Sequence, residues 1–447
     1  MPLSRAQSVV HFGRFVVLSG SRRLLDGDKP VPIEGKPFEL LLALLEKPGE
    51  VVRRDTLYAR LWPDVTADYR NGLDTAVKKL RQALGDSPHA PRYIETVARG
   101  GYALCAPVRI DETRTPAAHH TRASNGAPTD PEAHRLFLEG YHCWNKRTRA
   151  SEEQALNCFL QASRRDPDSA ACHAAIAQTW IMLASHGARR PVEAMAEARA
   201  AASLALHLDP HCHTARCVLA YLRGAFDYDL ADSLRELRAV VDLAPDISWG
   251  YVPLAYIAAA LGRGEEAVVM IRQALENDPV SPTIRTLQGY MRYLAGQLTE
   301  AVALGRNAVE RDPEFGLGHW YLAQELIAVG RPDRAITELT AAAWLKKDSM
   351  NVRATLGLAL ARCGRIAQAT RIDAALEAIA RHRYVDAYHR AVLKDALGMR
   401  DAAIALLQEA ADCHSHWFSL ARVDPKLDSL RSTDPRATTL LRRLRVS

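Results

Sequence analysis

The sequence predicts a multidomain, mainly α protein with a small α+β region at its N-terminal end. Three observations carry that reading. The chain has 447 residues, more than one ordinary core accommodates. Short apolar runs broken by Gly, Ser and Asp crowd its beginning, which is the pattern of strands. From Pro131 onward apolar residues recur at helical spacing, in units closed by proline. Hydrophobic residues at 48% and charged residues at 25% fit a globular chain. They exclude wholesale disorder, a collagen-like chain and a set of membrane spans.

In chain order, Val9–Phe12, Phe15–Leu18, Arg23–Leu25 and Lys29–Ile33 read as a small antiparallel sheet. A helix follows from about Pro37, a favoured first-turn residue, with Phe38, Leu41, Leu42 and Leu45 as its apolar stripe, and ends at Pro48-Gly49. A second runs from about Arg54 to Leu61 and stops at Pro63. A third runs from about Tyr69 to Leu84 and stops at Gly85-Asp86. Ile94–Val97 and Tyr102–Leu104 flank Gly100-Gly101 and read as a β-hairpin. Residues 109–130, RIDETRTPAAHHTRASNGAPTD, are polar and aperiodic and read as a flexible linker. The expected division is 1–108, a linker over 109–130, and 131–447.

The last region repeats. Prolines close units at Pro167, Pro210, Pro245, Pro279 and Pro313, the last three steps being 35, 34 and 34 residues. Small residues precede most of them at two fixed offsets: Ala155/Ala162, Ala198/Ala205, Ala267/Ala274 and Ala301/Ala308, with Ala335/Ala342 ahead of Lys347. The first helix of a unit carries a large-plus-small pair, such as Leu219-Ala220, Leu254-Ala255 or Leu356-Gly357. Two antiparallel helices approach closely only where one presents Ala or Gly, and a hairpin with one bare apolar face stacks on the next. These units resemble tetratricopeptide repeats, seven or eight over Asp130–Ala411, arranged as an α-helical superhelix. Tyr251, Arg285, His319 and Arg353 share one repeat position and are candidates for its concave groove, where they would meet a peptide or protein partner or merely solvate the surface. The tail after Cys413 reads as a final helix and cap.

Charge points to the other end. The net charge is +6. Met1–Val108 holds 16 Lys+Arg against 12 Asp+Glu, and the remainder holds 42 against 40. On the third helix Leu73, Ala76, Val77, Leu80 and Leu84 form one face, and Asn71, Thr75, Lys78 and Gln82 form the opposite one. Arg70, Asp74, Lys79 and Arg81 sit on the flanks. Amides, a hydroxyl and cations on one exposed helix suit a DNA major groove, although any solvated helix shows a similar face.

Three stretches in order shift that balance: FELLLALLEKPGEVVRRDTLYARLWPD, GLDTAVKKLRQALGD and PRYIETVARGGYALCAPV. Over Val9–Val108 the chain resembles an OmpR/PhoB-type winged helix-turn-helix DNA-binding domain. The resemblance implies that Asn71, Thr75, Lys78 and Gln82 face bases, with Arg70, Lys79 and Arg81 near phosphates. It also implies a phosphate contact for Arg54, a wing bearing Thr96 and Arg99, and a loop at Pro63–Asp68 that can touch RNA polymerase. Three positions depart from the pattern. Gly100 replaces a cation before the wing, Ala103 stands where Arg is common, and Asp74 replaces a frequent Asn and adds negative charge near the groove. Eight residues precede Val9, so no receiver domain is expected ahead of the winged helix. Fusion to tetratricopeptide repeats resembles one-component regulators of the HilA-like and CadC-like types, and the absence of a span favours the soluble, HilA-like arrangement.

The remaining constellations point to no chemistry. The eight cysteines include no C-x-x-C pair, and no signal peptide or membrane span is legible, so a cytoplasmic protein is expected. His207, His211, Cys212, His213 and Cys217 are dense enough for zinc but sit at a repeat junction and read as packing residues, as do Cys413, His414 and His416. Phosphate-loop, dinucleotide, H-E-x-x-H and G-x-S-x-G motifs are missing, so neither catalytic residues, cofactor nor metal is expected. The expected function is a DNA-binding transcriptional regulator. It would bind promoter DNA in tandem copies, touch RNA polymerase, and use its repeats for sensing, partner binding or dimerisation. The rivals are a protein–protein adaptor and a partner of a nucleotide cyclase.

Overall fold

A computed structural model describes residues 9–18, 23–26, 29–31, 33, 36–61, 70–88, 91–97, 100–111 and 127–446. They fall into two units, divided between Thr115 and Pro116.

The first unit opens on four antiparallel strands, β1 (Val9–Phe12), β2 (Phe15–Leu18), β3 (Arg23–Asp26) and β4 (Lys29–Val31). Helix α1 (Lys36–Leu45) follows, then a two-residue strand β5 (Val52–Arg53), α2 (Arg54–Leu61) and α3 (Arg70–Leu84). The unit closes with β6 (Ile94–Val97), β7 (Gly101–Leu104) and β8 (Val108–Asp111). The sheets are ordered β4-β3-β2-β1-β8 and β5-β7-β6. One core joins them: Phe12, Phe15 and Val17 from the first sheet, Phe38, Leu41 and Leu44 from α1, Leu73, Val77 and Leu80 from α3, and Ile94 and Leu104 from the hairpin.

Strand β8 differs from the sequence reading, which placed the linker from 109. Val108 pairs with Phe12 and Asp111 with Val9. Without it β1 would show a row of unmatched N–H and C=O groups, which is costly to leave on an edge. The alternation V-R-I-D is a strand pattern that its two charges disguised.

The second unit is eight antiparallel helix hairpins. They are α4 (Pro131–Trp144) with α5 (Arg149–Arg165), α6 (Ala170–Ser185) with α7 (Pro191–Leu208), α8 (His213–Ala225) with α9 (Leu230–Leu243), and α10 (Ser248–Ala260) with α11 (Gly264–Asn277). Then come α12 (Pro282–Leu294) with α13 (Leu298–Arg311), α14 (Gly316–Ala328) with α15 (Pro332–Leu345), α16 (Met350–Arg362) with α17 (Ile366–Ala380), and α18 (Ala387–Ala396) with α19 (Arg400–Asp412). Every alanine of the five recurring pairs is buried, so the helices do meet through their small residues. Gly262, Gly296, Gly330, Gly364 and Gly398, 34 residues apart, all take φ between 71° and 78°. They end the first helix of five successive hairpins in the left-handed conformation that glycine adopts without a Cβ clash.

The superhelix curls far enough for distant hairpins to touch. Lys346 at the end of α15 donates to the carbonyl of Arg147 in the α4–α5 turn, and Arg147 Nε donates to Thr283 Oγ1 of α12 at 3.3 Å. Asn351 of α16 donates to the Ser185 carbonyl at 3.4 Å.

The tail is more than a cap. Two 3-10 turns, His416–Leu420 and Pro425–Leu427, run through the interior of the curl before α20 (Asp428–Thr433) and α21 (Pro435–Leu441) close it. Trp417 donates Nε1–H to the Ser185 carbonyl at 2.8 Å and lies edge-on to Trp320, ring centroids 5.3 Å apart. Asp424 accepts from the hydroxyls of Tyr293 at 2.6 Å and Tyr388 at 2.8 Å and pairs with Lys426 at 3.1 Å. Against the desolvation of full burial, Lys426 and those hydroxyls hold its carboxyl below the usual range.

Two of the expected groove residues are engaged by the fold itself. Arg285 donates to the Pro279 carbonyl and pairs with Asp312; His319 bonds to the Pro313 carbonyl and to Glu338. His173 and Arg216 bond to the Pro167 and Pro210 carbonyls in the same way. This repeat position therefore clamps the turn six residues upstream, because a proline-containing turn leaves a carbonyl that only a side chain reaches. Tyr251, buried, and Arg353, exposed, stand at the same position. Several of the side chains that meet the tail lie five residues further on. Tyr221 and Tyr256 pack on His416, and Gln324 accepts from Lys426.

Candidate nucleic-acid interface

Helix α3 divides sharply. Leu73, Ala76, Val77, Leu80 and Leu84 are each at most 3% exposed. Asp74, Thr75, Lys78, Lys79 and Gln82 are exposed, and neither lysine pairs with an acid among the described residues. Arg70 and Asn71 begin the helix. Arg99 and the Pro63–Asp68 loop lie outside the described residues.

Two arginines read as phosphate contacts are engaged inside the domain. Arg54, first residue of α2, pairs with Asp74 and donates to the Tyr102 hydroxyl at 2.8 Å, its guanidinium 5.2 Å from that ring's centroid. Tyr102 in turn donates to Asp74 at 2.8 Å. Against partial desolvation, these bonds hold the Asp74 carboxyl below the usual range and push the Arg54 pKa up. The negative charge that Asp74 brings to α3 is thus matched by a cation, and the triangle ties α2, α3 and β7 together. Arg81 donates to the Ile94 carbonyl and to Thr96 Oγ1, both at 2.8 Å, so it braces the hairpin against α3. Arg54, Arg81 and Thr96 thus tie α2, α3 and the hairpin to one another. The pairing of Arg54 with Asp74 joins residues 20 apart in the chain, which no local pattern reveals.

The hairpin turn has its own requirement. At Gly101, φ is 155°, and a Cβ there would stand 2.0 Å from the Val52 carbonyl oxygen. Only glycine lets β7 approach β5 so closely.

Within the metal-like clusters Cys212, Cys217 and His416 are buried, whereas His207 and His211 are exposed. Among the described residues no group of three or more His, Cys, Asp or Glu is placed to bind a metal. Burial pushes the Cys217 thiol up to about 12, which keeps it protonated, and His414 bonds to the Phe226 carbonyl at 2.7 Å. No described helix is long and apolar enough to cross a membrane.

Comparison with known proteins places this geometry. Residues 28–104 match the family of the C-terminal domain of transcriptional regulatory proteins. The transcriptional regulatory protein GltR of Pseudomonas aeruginosa is 38% identical over 77 residues, 17% of this chain and 32% of that protein. The transcriptional regulator HilA of Salmonella typhimurium is 35% identical over 112 residues, 25% of this chain and 19% of that one. The chain thus spans less than half the length of these curated relatives. Among solved structures, yeast Tom70 is 17% identical with a TM-score of 0.42, covering 71% of this chain and 69% of its own. The chain carries an OmpR/PhoB-type transcriptional-regulator domain at its N-terminal end, followed by tetratricopeptide-like helical hairpins.

Proposed function

We propose that the protein is a cytoplasmic, non-catalytic transcriptional regulator whose α3 reads promoter DNA in the major groove while the hairpin array senses a signal. The observation that carries the reading is the exposed ridge of α3. Its hydroxyl, amide and two cations stand clear of a fully buried apolar face, and its one acid is already neutralised by Arg54. In this reading Asn71, Thr75, Lys78 and Gln82 approach base edges, Arg70 and Lys79 approach phosphates, and Arg99 reaches from the wing. The Pro63–Asp68 loop is the proposed contact with RNA polymerase, as the family resemblance implies.

For the hairpins, sensing is favoured over capture of a peptide, because the chain's own tail runs through the inside of the curl. Binding of the full chain to promoter fragments, recovered by genome-wide occupancy mapping and titrated across salt, tests the proposal. Log affinity should fall linearly with log salt at about 0.9 per phosphate contact. Salt-independent or absent binding would leave an adaptor role instead.

A further inference from the structure

The α4–α5 turn holds a residue that its fold does not explain. Arg147 takes a left-handed φ of 53°, uncommon for a side chain with a Cβ. It is 5% exposed. Its guanidinium lies 3.4 Å from the centroid of the Trp144 ring, its Nε donates to Thr283, and its Nη1 has no hydrogen-bond partner among the described residues. Burial lowers its pKa to about 10, opposed by the charge of Glu152, so it stays cationic at neutral pH. A buried guanidinium left partly unmatched is expensive, and it calls for a partner.

Arg147 lines a cavity of about 100 Å³ at the centre of the curl. Its walls are apolar over Met182, Val252, Ile284, Leu287 and Leu317. Ser185, Ser248 and Tyr256 also line it, each at most 6% exposed, and the buried hydroxyls of Ser185 and Ser248 have no partner among the described residues. One acid, Asp278, is on the wall, and Glu152 is held behind it by His186 at 2.6 Å.

We infer that this cavity binds a small organic carboxylate with a hydrocarbon or aromatic body, its carboxylate on Arg147 Nη1 and its body on the Val252–Leu287 wall. Charge-assisted bonding favours an anion at Arg147, the two serine hydroxyls supply the remaining polar contacts, and the volume is of the order that accepts a benzene-sized body. A dianion such as phosphate would face Asp278 with a single cation to hold it. The cavity is lined by the first six hairpins and by Trp417 of the tail, so occupancy would bind the curl together. Its regulatory meaning rests on the sensing role proposed above, whereas the site itself does not.

The test is calorimetry of the full chain with benzoate and hexanoate, against benzamide and hexanamide. One saturable site per chain is expected for the acids, with amides at least about tenfold weaker. Arg147→Met should abolish the preference for acid over amide. Val252→Phe, which fills the apolar wall and leaves the cation in place, should abolish binding altogether. Absence of saturable binding by the unmodified chain, equal affinity for acids and amides, or undiminished binding in Val252→Phe would each overturn the inference. Promoter affinity measured on the same samples tests the regulator reading alone, so a failure of either is recognisable.

Discussion

Lys78 and Lys79 are neighbours on α3 with different expected tasks. Lys78 lies on the ridge with Thr75 and Gln82, so Lys78→Ala should cost about 1–3 kcal/mol of specific binding and relax base choice in a competition assay. Lys79 is on the flank. Lys79→Ala should weaken binding evenly across sequences and reduce the salt slope by about 0.9. Glu325 makes a different prediction. It is fully buried, neither carboxyl oxygen has a hydrogen-bond partner among the described residues, and burial pushes its pKa well above the carboxylate range. A carboxyl whose pKa rises on folding favours the native state below the unfolded value, near 4.5, and loses that advantage as pH climbs through the folded value. Melting temperatures measured across pH should therefore show Glu325→Gln gaining on the unmodified protein as pH rises, and a constant gap would refute a neutral Glu325. At this scale the sequence was informative where one helix face settles the outcome, as for Leu73 and Lys78. It was silent where partners come from afar, as for Arg54 with Asp74 and Arg147 with Thr283.

At the scale of elements, spacing did most of the work. The alanine pairs and the Pro steps are enough to draw the hairpins, because close helix packing demands small residues at fixed offsets. The same regularity misled on the groove. Arg285 and His319 recur because each turn needs its carbonyl matched, and recurrence alone does not separate a clamp from a ligand contact. The better signal was the aromatic or amide residue five positions on, at Tyr221, Tyr256 and Gln324. The tail was read as a cap because its two 3-10 turns have no helical period to betray that Trp417 and Phe418 are fully buried. Trp417→Ala should cost about 3–5 kcal/mol in urea unfolding, the range for a large aromatic lost from a core. A loss under about 1 kcal/mol would mean that the tail is a loosely held lid.

The two units differ in how they answer acid. In the hairpin unit His416 is buried between Tyr221 and Tyr256, and burial, with the charge of His186 as a lesser cause, lowers its pKa from 6.5 to about 3. A histidine whose pKa falls on folding stabilises the native state above about 6.5, and that contribution is lost as pH drops toward 3. From pH 7 to pH 5 the loss amounts to about 2 kcal/mol. Chemical denaturation of the full chain should show the hairpin unit weakening over that interval, and His416→Phe should flatten the response. In the N-terminal unit the Asp74 triangle responds in the same direction but is solvent-screened, so its share is small.

The threading of residues 416–427 through the curl also sets an order of events during synthesis. All eight hairpins leave the ribosome before the segment that completes their interior, so Trp320, Tyr293 and Tyr388 await their partners for the whole of that interval. The N-terminal unit needs nothing from that segment for its own core and is finished first. A nascent chain stalled short of Trp417 would therefore carry a completed N-terminal unit and hairpins whose apolar interior is still uncovered, a species that chaperones would retain.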